Sequence, residues 1–267
     1  MIELGPQEDL FWWEADDCQC KDKDCRAPLV TFKNLTRNEV GGTCGRRSWT
    51  AGDGQRMLSF SLFGNNPEYW KGLEKILPEV EELYPGWKVR LYTNPRHYAA
   101  ALCPLLHRHK SLLHICDVTN LPSPLGNLSN VHPMMWRMVP LGDPQVAAMM
   151  VRDTDSQLLT LMQRNVEEGQ SFEMTGTTYF QVSRREKEAV GGVAAHRGRC
   201  FHLMRDHPQH DVPVLGGMWG ARWDTDPAFT GKLRSLRDKM IAMSVGKRKY
   251  GLDQRILQVK LHDFVFT

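Results

Sequence analysis

The 267-residue sequence has no apolar run of about 18 residues, the length that a bilayer-spanning helix requires. Its first residues lack the basic and apolar regions of a secretory signal peptide. Charge is also nearly balanced, with 34 basic and 31 acidic residues and a net charge of +3. No basic stripe with interleaved aromatic residues is present. These absences argue against a membrane span in this chain and against a nucleic-acid partner.

Cysteine is sparse along most of the chain but crowded near its start. Four of the seven cysteines fall in the first 44 residues, at Cys18, Cys20, Cys25 and Cys44. Such crowding is typical of a disulfide-stabilised segment in an oxidising compartment. A zinc site is the alternative, although this spacing is not a common zinc pattern. Two glycosylation sequons, which begin at Asn34 and Asn127, also favour a secretory compartment.

We therefore expect a fragment, lacking its leader or anchor, of a secreted protein or of one in the Golgi or endoplasmic reticulum lumen. A cytoplasmic location is the alternative. Residues 1–56, rich in cysteine, glycine and charge, are predicted to form an irregular N-terminal extension. The main domain is predicted to cover residues 57–267.

The start of the main domain has the pattern of a βαβ unit. Residues 57–64 are a short apolar run closed by a turn, and residues 88–94 form a second such run. Between them, apolar residues recur at helical spacing until Pro85-Gly86. The crossover of such a unit is right-handed, and ligands gather where its parallel strands end. Asn65 lies at that position, with turn formation as its alternative role.

Two further apolar runs extend this α/β pattern. Residues 112–118 are a candidate third strand, and residues 146–151 fit a central strand. The second run ends in Arg152-Asp153-Thr154-Asp155. Two aspartates at the carboxyl end of a parallel strand place hard oxygen ligands where a phosphate-bearing ligand binds, and Mn²⁺ or Mg²⁺ makes their like charges tolerable. The alternative is that Asp153 caps a helix while Asp155 pairs with Arg152 in solvent.

Several motifs together resemble a family of glycosyltransferase-like proteins with the GT-A nucleotide-diphospho-sugar transferase fold. They are FSLFGNNPEYWKG, LYPGWKVRLY, MWRMVPLGDPQVAAMMVRDTDS, SRREKEAV, FHLMRDHPQHDVPVLGGMWG and YGLDQ. The resemblance covers most of residues 57–254. It implies a Rossmann-like sandwich with a mostly parallel central sheet. It also implies a nucleotide sugar bound by the first strand's loop and the two aspartates, with an acceptor site in the C-terminal half.

The resemblance assigns roles to individual residues. The donor-binding residues would be Asn65, Arg137, Arg152, Asp153 and Asp155, with a surface salt bridge as the alternative role of Arg137. Asp153, Asp155 and His262 would ligate the metal. Asp206 and Asp253 compete as the catalytic base. Residues 250–258 are also predicted to form a helix with Asp253 in its first turn, where a favourable charge at the helix start is the alternative role of Asp253.

The acceptor-binding set follows from the same motifs and from residue chemistry. It comprises His207, His210, Gly216, Gly217, Trp219 and Gln254. Two histidines beside an aspartate and a double glycine combine proton-transfer groups with room for a ligand to approach the backbone. Trp219 suits either a platform for a sugar ring or the hydrophobic core.

Two departures from the family pattern bear on activity. About 25 residues around 159–182 stand between the Asp153-Thr154-Asp155 motif and Ser183-Arg184-Arg185. Long loops of this kind act as lids in other enzymes, and a misjoined exon is the alternative origin of the segment. The C-terminal segment is also short, which brings GLDQ close to His262.

The sequence thus predicts a metal-dependent glycosyltransferase that moves a sugar from a nucleotide diphosphate donor to a glycan or glycoprotein acceptor. The alternative is a non-catalytic secreted carbohydrate-binding protein derived from such an enzyme. A metal-dependent phosphohydrolase ranks third, because the sequence offers no second acidic metal cluster at clear spacing.

Overall fold

A computed structural model describes residues 13, 44–155, 201–203, 214–223 and 227–266. In these ranges a six-stranded sheet is flanked by helices. The strands are β1 Gln55–Ser61, β2 Trp87–Thr93, β3 Leu113–Asp117, β4 Val146–Arg152, β5 Phe201–Leu203 and β6 Met218–Arg222. The helices are α1 Gly45–Thr50, α2 Pro67–Leu83, α3 Ala99–Arg108, α4 Pro227–Ser244 and α5 Leu252–Phe266, with a 3₁₀ helix at Pro133–Met138.

The sheet is mostly parallel, which confirms the predicted α/β class. Its order is β3-β2-β1-β4-β6-β5. The first four strands run parallel, whereas β6 lies antiparallel to both β4 and β5. The βαβ pattern of β1, α2 and β2 is the unit expected from sequence, and this arrangement is consistent with a Rossmann-like fold.

Each face of the sheet carries its own hydrophobic core. Alternate side chains of β1 point to opposite faces, so Leu58 and Phe60 pack on the side of α2 and α3 while Met57 packs on the other. The second core includes residues of the 3₁₀ helix, α4 and α5. Burial of both faces explains why β1 and β4 read as continuous apolar runs rather than as alternating patterns.

Local sequence signals explain the bounds of α2. The Asn66 side chain accepts a hydrogen bond from the Glu68 amide at 3.1 Å, and Pro67 occupies the first turn. The helix ends before Gly86, whose φ is +82°. Asn66 is therefore a helix cap.

The segment before residue 57 is more ordered than predicted where the structure describes it. Residues 45–50 form α1, and β1 already begins at Gln55. A six-residue helix is too short to leave a readable periodicity. Cys44 forms a disulfide bond with Cys116 of β3, and Cys103 is also disulfide-bonded. Disulfide pairing was the predicted chemistry for Cys44; Cys18, Cys20 and Cys25 lie outside the described residues. None of the described helices has the length and hydropathy needed to cross a membrane.

A buried ion pair lies under the second face of the sheet. Arg90 of β2 contacts Asp143 at 2.9 Å, and each side chain is only 1% exposed. Asp143 also accepts a hydrogen bond from the Gln145 amide at 3.0 Å, just before β4 begins. The pair therefore fixes the start of β4 relative to β2.

His114 makes folding stability depend on pH. The side chain is buried in β3, and burial lowers its pKa from 6.5 to about 3, with Arg90, Lys88 and Arg47 adding to the effect. Below pH 6.5 the unfolded chain binds a proton that the folded chain does not, so the stability present above that pH is lost as the pH falls towards 3. We expect the free energy of unfolding of His114→Gln to depend less steeply on pH than that of the wild type, by up to about 1.4 kcal/mol per pH unit in this range.

The measurement is chemical denaturation of both proteins at a series of pH values between about 7 and about 4, an interval that spans most of the fall in stability. His97→Gln, at an exposed position, is the control and should follow the wild-type curve. Parallel curves for His114→Gln and wild type would contradict a neutral buried His114.

Candidate functional site

The strand order changes direction between β1 and β4, at the carboxyl ends of these two strands. The chain runs outward from β1 to β2 and β3 on one side, and then returns to place β4 on the other side of β1. Connections that diverge in this way leave a gap between two parallel strands, where ligands of open α/β sheets bind. Asp153 follows β4 at this gap, as the sequence predicted.

Two serines on one face of β1 position Arg137. The Ser59 hydroxyl donates to the Arg137 carbonyl at 2.8 Å, and the Arg137 amide donates to the Ser61 hydroxyl oxygen at 2.9 Å. Ser59 and Ser61 are two residues apart and therefore project from the same side of the strand. They fix the 3₁₀ helix against β1, so that the Arg137 side chain is directed toward the end of β4.

Arg137 joins two carboxylates that are 100 residues apart in the chain. Its guanidinium pairs with Asp153 through Nη1 and with Asp253 of α5 through Nη2, the latter at 3.0 Å. The Arg137 side chain is 2% exposed, Asp253 is 9% exposed and Asp153 is 32% exposed. The cluster thus has a buried interior and one carboxylate that reaches solvent. Its formal charge is −1.

The double glycine before β6 lies directly against this cluster. A Cβ on Gly216 would stand 2.8 Å from Asp253 Oδ2 and 2.9 Å from Arg137 Nη2. A Cβ on Gly217 would overlap the Asp153 carboxylate. A Cβ at either position would force these side chains to move, so the chain's own charged groups occupy the space where the sequence predicted room for a ligand.

Gln254 fastens the glycine segment to α5. Its side-chain oxygen accepts a hydrogen bond from the Gly216 amide at 2.8 Å, and its side-chain nitrogen donates to the Val214 carbonyl. Adjacent residues of α5 therefore hold two parts of the site, with Asp253 on Arg137 and Gln254 on the glycine backbone.

The second aspartate of the motif lies at the rim. Asp155 is exposed, and Arg152 is buried at the end of β4. Gly72 of α2 allows the chain to leave β4 here, because a Cβ on it would overlap the Thr154 carbonyl. Burial of Arg152 excludes the alternative in which it pairs with Asp155 in solvent.

A second polar group lies at the carboxyl ends of β2 and β3. Thr93 and Asp117 are paired in the parallel register, and both are buried. Burial raises the pKa of Asp117, while hydrogen bonds from the Thr119 amide and hydroxyl and the charge of Arg96 oppose the rise. Thr93 Oγ1 and Asn94 Oδ1 are buried and, within the described ranges, have no hydrogen-bond partner. Neither Thr93 nor Asp117 was predicted from the sequence as a site residue, because each lies inside an apolar run.

The remaining predicted residues are placed differently. Asn65 is exposed after β1. Trp219 is 1% exposed in the second core, which favours its core role over the sugar platform. Asp206, His207 and His210 lie outside the described residues, as do residues 159–182. Position 262 falls within α5, but the His262 side chain is not among those described.

Comparison with known proteins found no match: no family model, no curated protein and no solved structure matches the chain. Within the described residues, no group of three or more histidine, cysteine, aspartate or glutamate side chains is placed to hold a metal ion. Any functional conclusion therefore depends on the site itself.

Proposed function

We propose that this chain is a metal-dependent glycosyltransferase of the GT-A type, which moves a sugar from a nucleotide diphosphate donor to a glycan or glycoprotein acceptor. The observation that carries the proposal is the position of Asp153. It follows a central parallel strand at the point where the strand order reverses, and it is held there by a buried arginine and a double glycine.

The charges and donor atoms at this edge fit a divalent cation. Asp153 and Asp155 supply carboxylate oxygens, which Mg²⁺ and Mn²⁺ prefer. With Asp253, Arg137 and the buried Arg152 counted, the five side chains sum to a formal charge of −1. Two protein carboxylates suffice where a diphosphate provides further oxygen ligands. A bound cation would offset the negative charge that develops on the leaving diphosphate.

The protein's own residues orient the reactants. Arg137 holds the Asp153 carboxylate through an ion pair, which restricts the carboxylate to one direction. Gly216 and Gly217 let the charged groups of Asp253, Arg137 and Asp153 lie directly against the backbone, because a Cβ at either position would meet those groups. Asp253 lies against Gly216, is paired with Arg137 and is one candidate base for the acceptor hydroxyl, with Asp206 as the other.

The test is calorimetric titration of UDP and GDP into the purified protein with and without Mn²⁺. Asp155→Asn is the informative variant, because Asp155 is exposed and its removal leaves the Arg137 pairs in place. We expect at least about tenfold weaker metal-dependent binding, since a charge-assisted contact contributes roughly 1.5–3 kcal/mol. Asp53→Asn is the control, because Asp53 is exposed and lies before β1, at the amino ends of the parallel strands.

Failure of both nucleotides to bind folded protein under any metal condition would reject the transferase proposal. The non-catalytic alternative would then take its place, and it predicts glycan binding that is independent of metal and nucleotide. Release of phosphate from a nucleotide sugar without sugar transfer would instead indicate the phosphohydrolase.

A further inference from the structure

The loop that follows β3 carries one of the two sequons on a solvent-facing turn. In Asn127-Leu128-Ser129, the first and third residues are exposed while Leu128 is buried in the second core. The Ser129 amide donates to the Asn127 side-chain oxygen at 2.8 Å. This bond engages the oxygen of the carboxamide and not its nitrogen.

Contacts on both sides hold this turn in place. The Leu128 amide donates to the Val118 carbonyl at 2.7 Å, and the Leu128 carbonyl accepts from the Trp136 indole at 3.0 Å. Arg248 donates to the Ser129 carbonyl at 3.0 Å. The sequon is therefore presented on a fixed part of the surface, and its exposed residues leave space for a bulky polar group.

The disulfides give an independent indication of the compartment. Cys44 and Cys116 are bonded, and Cys103 is bonded as well. Stable disulfides form in oxidising compartments such as the endoplasmic reticulum lumen, where asparagine-linked glycosylation also takes place. A sequon in a cytosolic protein is not modified in this way. The disulfides and the exposed turn together therefore support modification of this sequon more strongly than the motif alone does.

We propose that Asn127 is a site of asparagine-linked glycosylation. In the transfer, the Asn127 side-chain nitrogen forms a bond to C1 of an oligosaccharide, and the bond between C1 and the phosphate oxygen of a diphosphate-linked lipid carrier breaks. The nitrogen loses one proton to a base of the host transferase, and the lipid diphosphate leaves. No oxidation or reduction occurs.

The experiment expresses the full chain behind a secretory leader in a eukaryotic host. The secreted protein is treated with the amidase that releases such glycans and converts the linked asparagine to aspartate. Reduced tryptic peptides are then examined by mass spectrometry. Residues 111–137 form one tryptic peptide that contains Asn127 with Asn120 and Asn130 as internal references. Peptide-level detection also separates Asn127 from Asn34, which lies outside the described residues.

Within this peptide, we expect Asn127 alone to be converted to aspartate, while Asn120 and Asn130 stay unchanged. Ser129→Ala and Asn127→Gln should abolish it, whereas Ser129→Thr, which keeps the hydroxyl, and Asn130→Gln should retain it. A secreted protein that contains the Cys44–Cys116 disulfide but an unmodified Asn127 would overturn the proposal. The readout does not depend on nucleotide binding, so it stands or fails separately from the proposed transferase activity.

Discussion

Replacing Arg137 with methionine should destabilise the protein by about 3 kcal/mol and abolish metal-dependent nucleotide binding. The substitution leaves Asp253 buried without its cation, and removal of one partner from a buried pair costs roughly 3–5 kcal/mol. We place the effect at the lower end because Asp153, the other partner, is 32% exposed and gains hydration. Asp153 also loses the contact that orients it. Chemical denaturation measures the first effect and calorimetry the second.

The control is Arg108→Met, which breaks an ion pair with Glu74 at the protein surface. Those side chains are 52% and 47% exposed, so the cost should be at most about 1 kcal/mol. The double variant Arg137→Met with Asp253→Leu should lose less free energy of unfolding than the two single variants lose in total, because it leaves no buried charge on α5. Additive effects would show that Arg137 and Asp253 do not interact in solution.

The sequence predicted the strands that carry the site but not the contacts that assemble it. Strands were expected at residues 57–64, 88–94, 112–118 and 146–151, and the structure places β1 to β4 there. Continuous apolar runs bounded by turns are strong signals for buried parallel strands. By contrast, β6 is a short strand interrupted by Gly220, and α3 contains Pro104, so neither showed a clear period.

The partners of Arg137 illustrate why the site could be predicted only in part. Local sequence identifies Asp153 as the end of a strand and Asp253 as the first turn of a helix. Their meeting at one guanidinium depends on the packing of α5 against the sheet, a long-range contact that no local pattern reveals. The supporting serines were hidden for a similar reason, since Ser59 and Ser61 read as ordinary strand residues until the 3₁₀ helix is seen to lie over them.

Trp219 is a residue for which the sequence left two roles open. A tryptophan beside a double glycine fits a sugar platform and a core position equally well by sequence, because both roles bury apolar rings. Strand alternation decides the matter: Trp219 pairs with Val151 of β4 and points into the second core, as Val151 does. The glycines, not the tryptophan, face the cluster.

The Gly217→Ala variant separates a ligand site from a merely packed ion cluster. The added methyl group would overlap the Asp153 carboxylate, so either that side chain or the start of β6 has to move. Overpacking of this kind costs about 1–3 kcal/mol. We expect loss of metal-dependent nucleotide binding together with a measurable fall in stability. Gly231→Ala is the matched control, since nothing lies within 4 Å of its Cβ position and alanine favours a helix.

The two readouts distinguish the possible roles of the cluster. If Asp153 contacts the donor, Gly217→Ala should weaken nucleotide binding far more than another variant of equal stability, such as one with a truncated core side chain at Leu77. If the nucleotide affinity of Gly217→Ala falls no more than that of the Leu77 variant, the cluster has a structural role only. Asp155→Asn tests the rim separately, because it removes an exposed carboxylate without changing the packing of the cluster: unchanged nucleotide affinity in this variant would show that Asp155 does not contact the bound metal or donor.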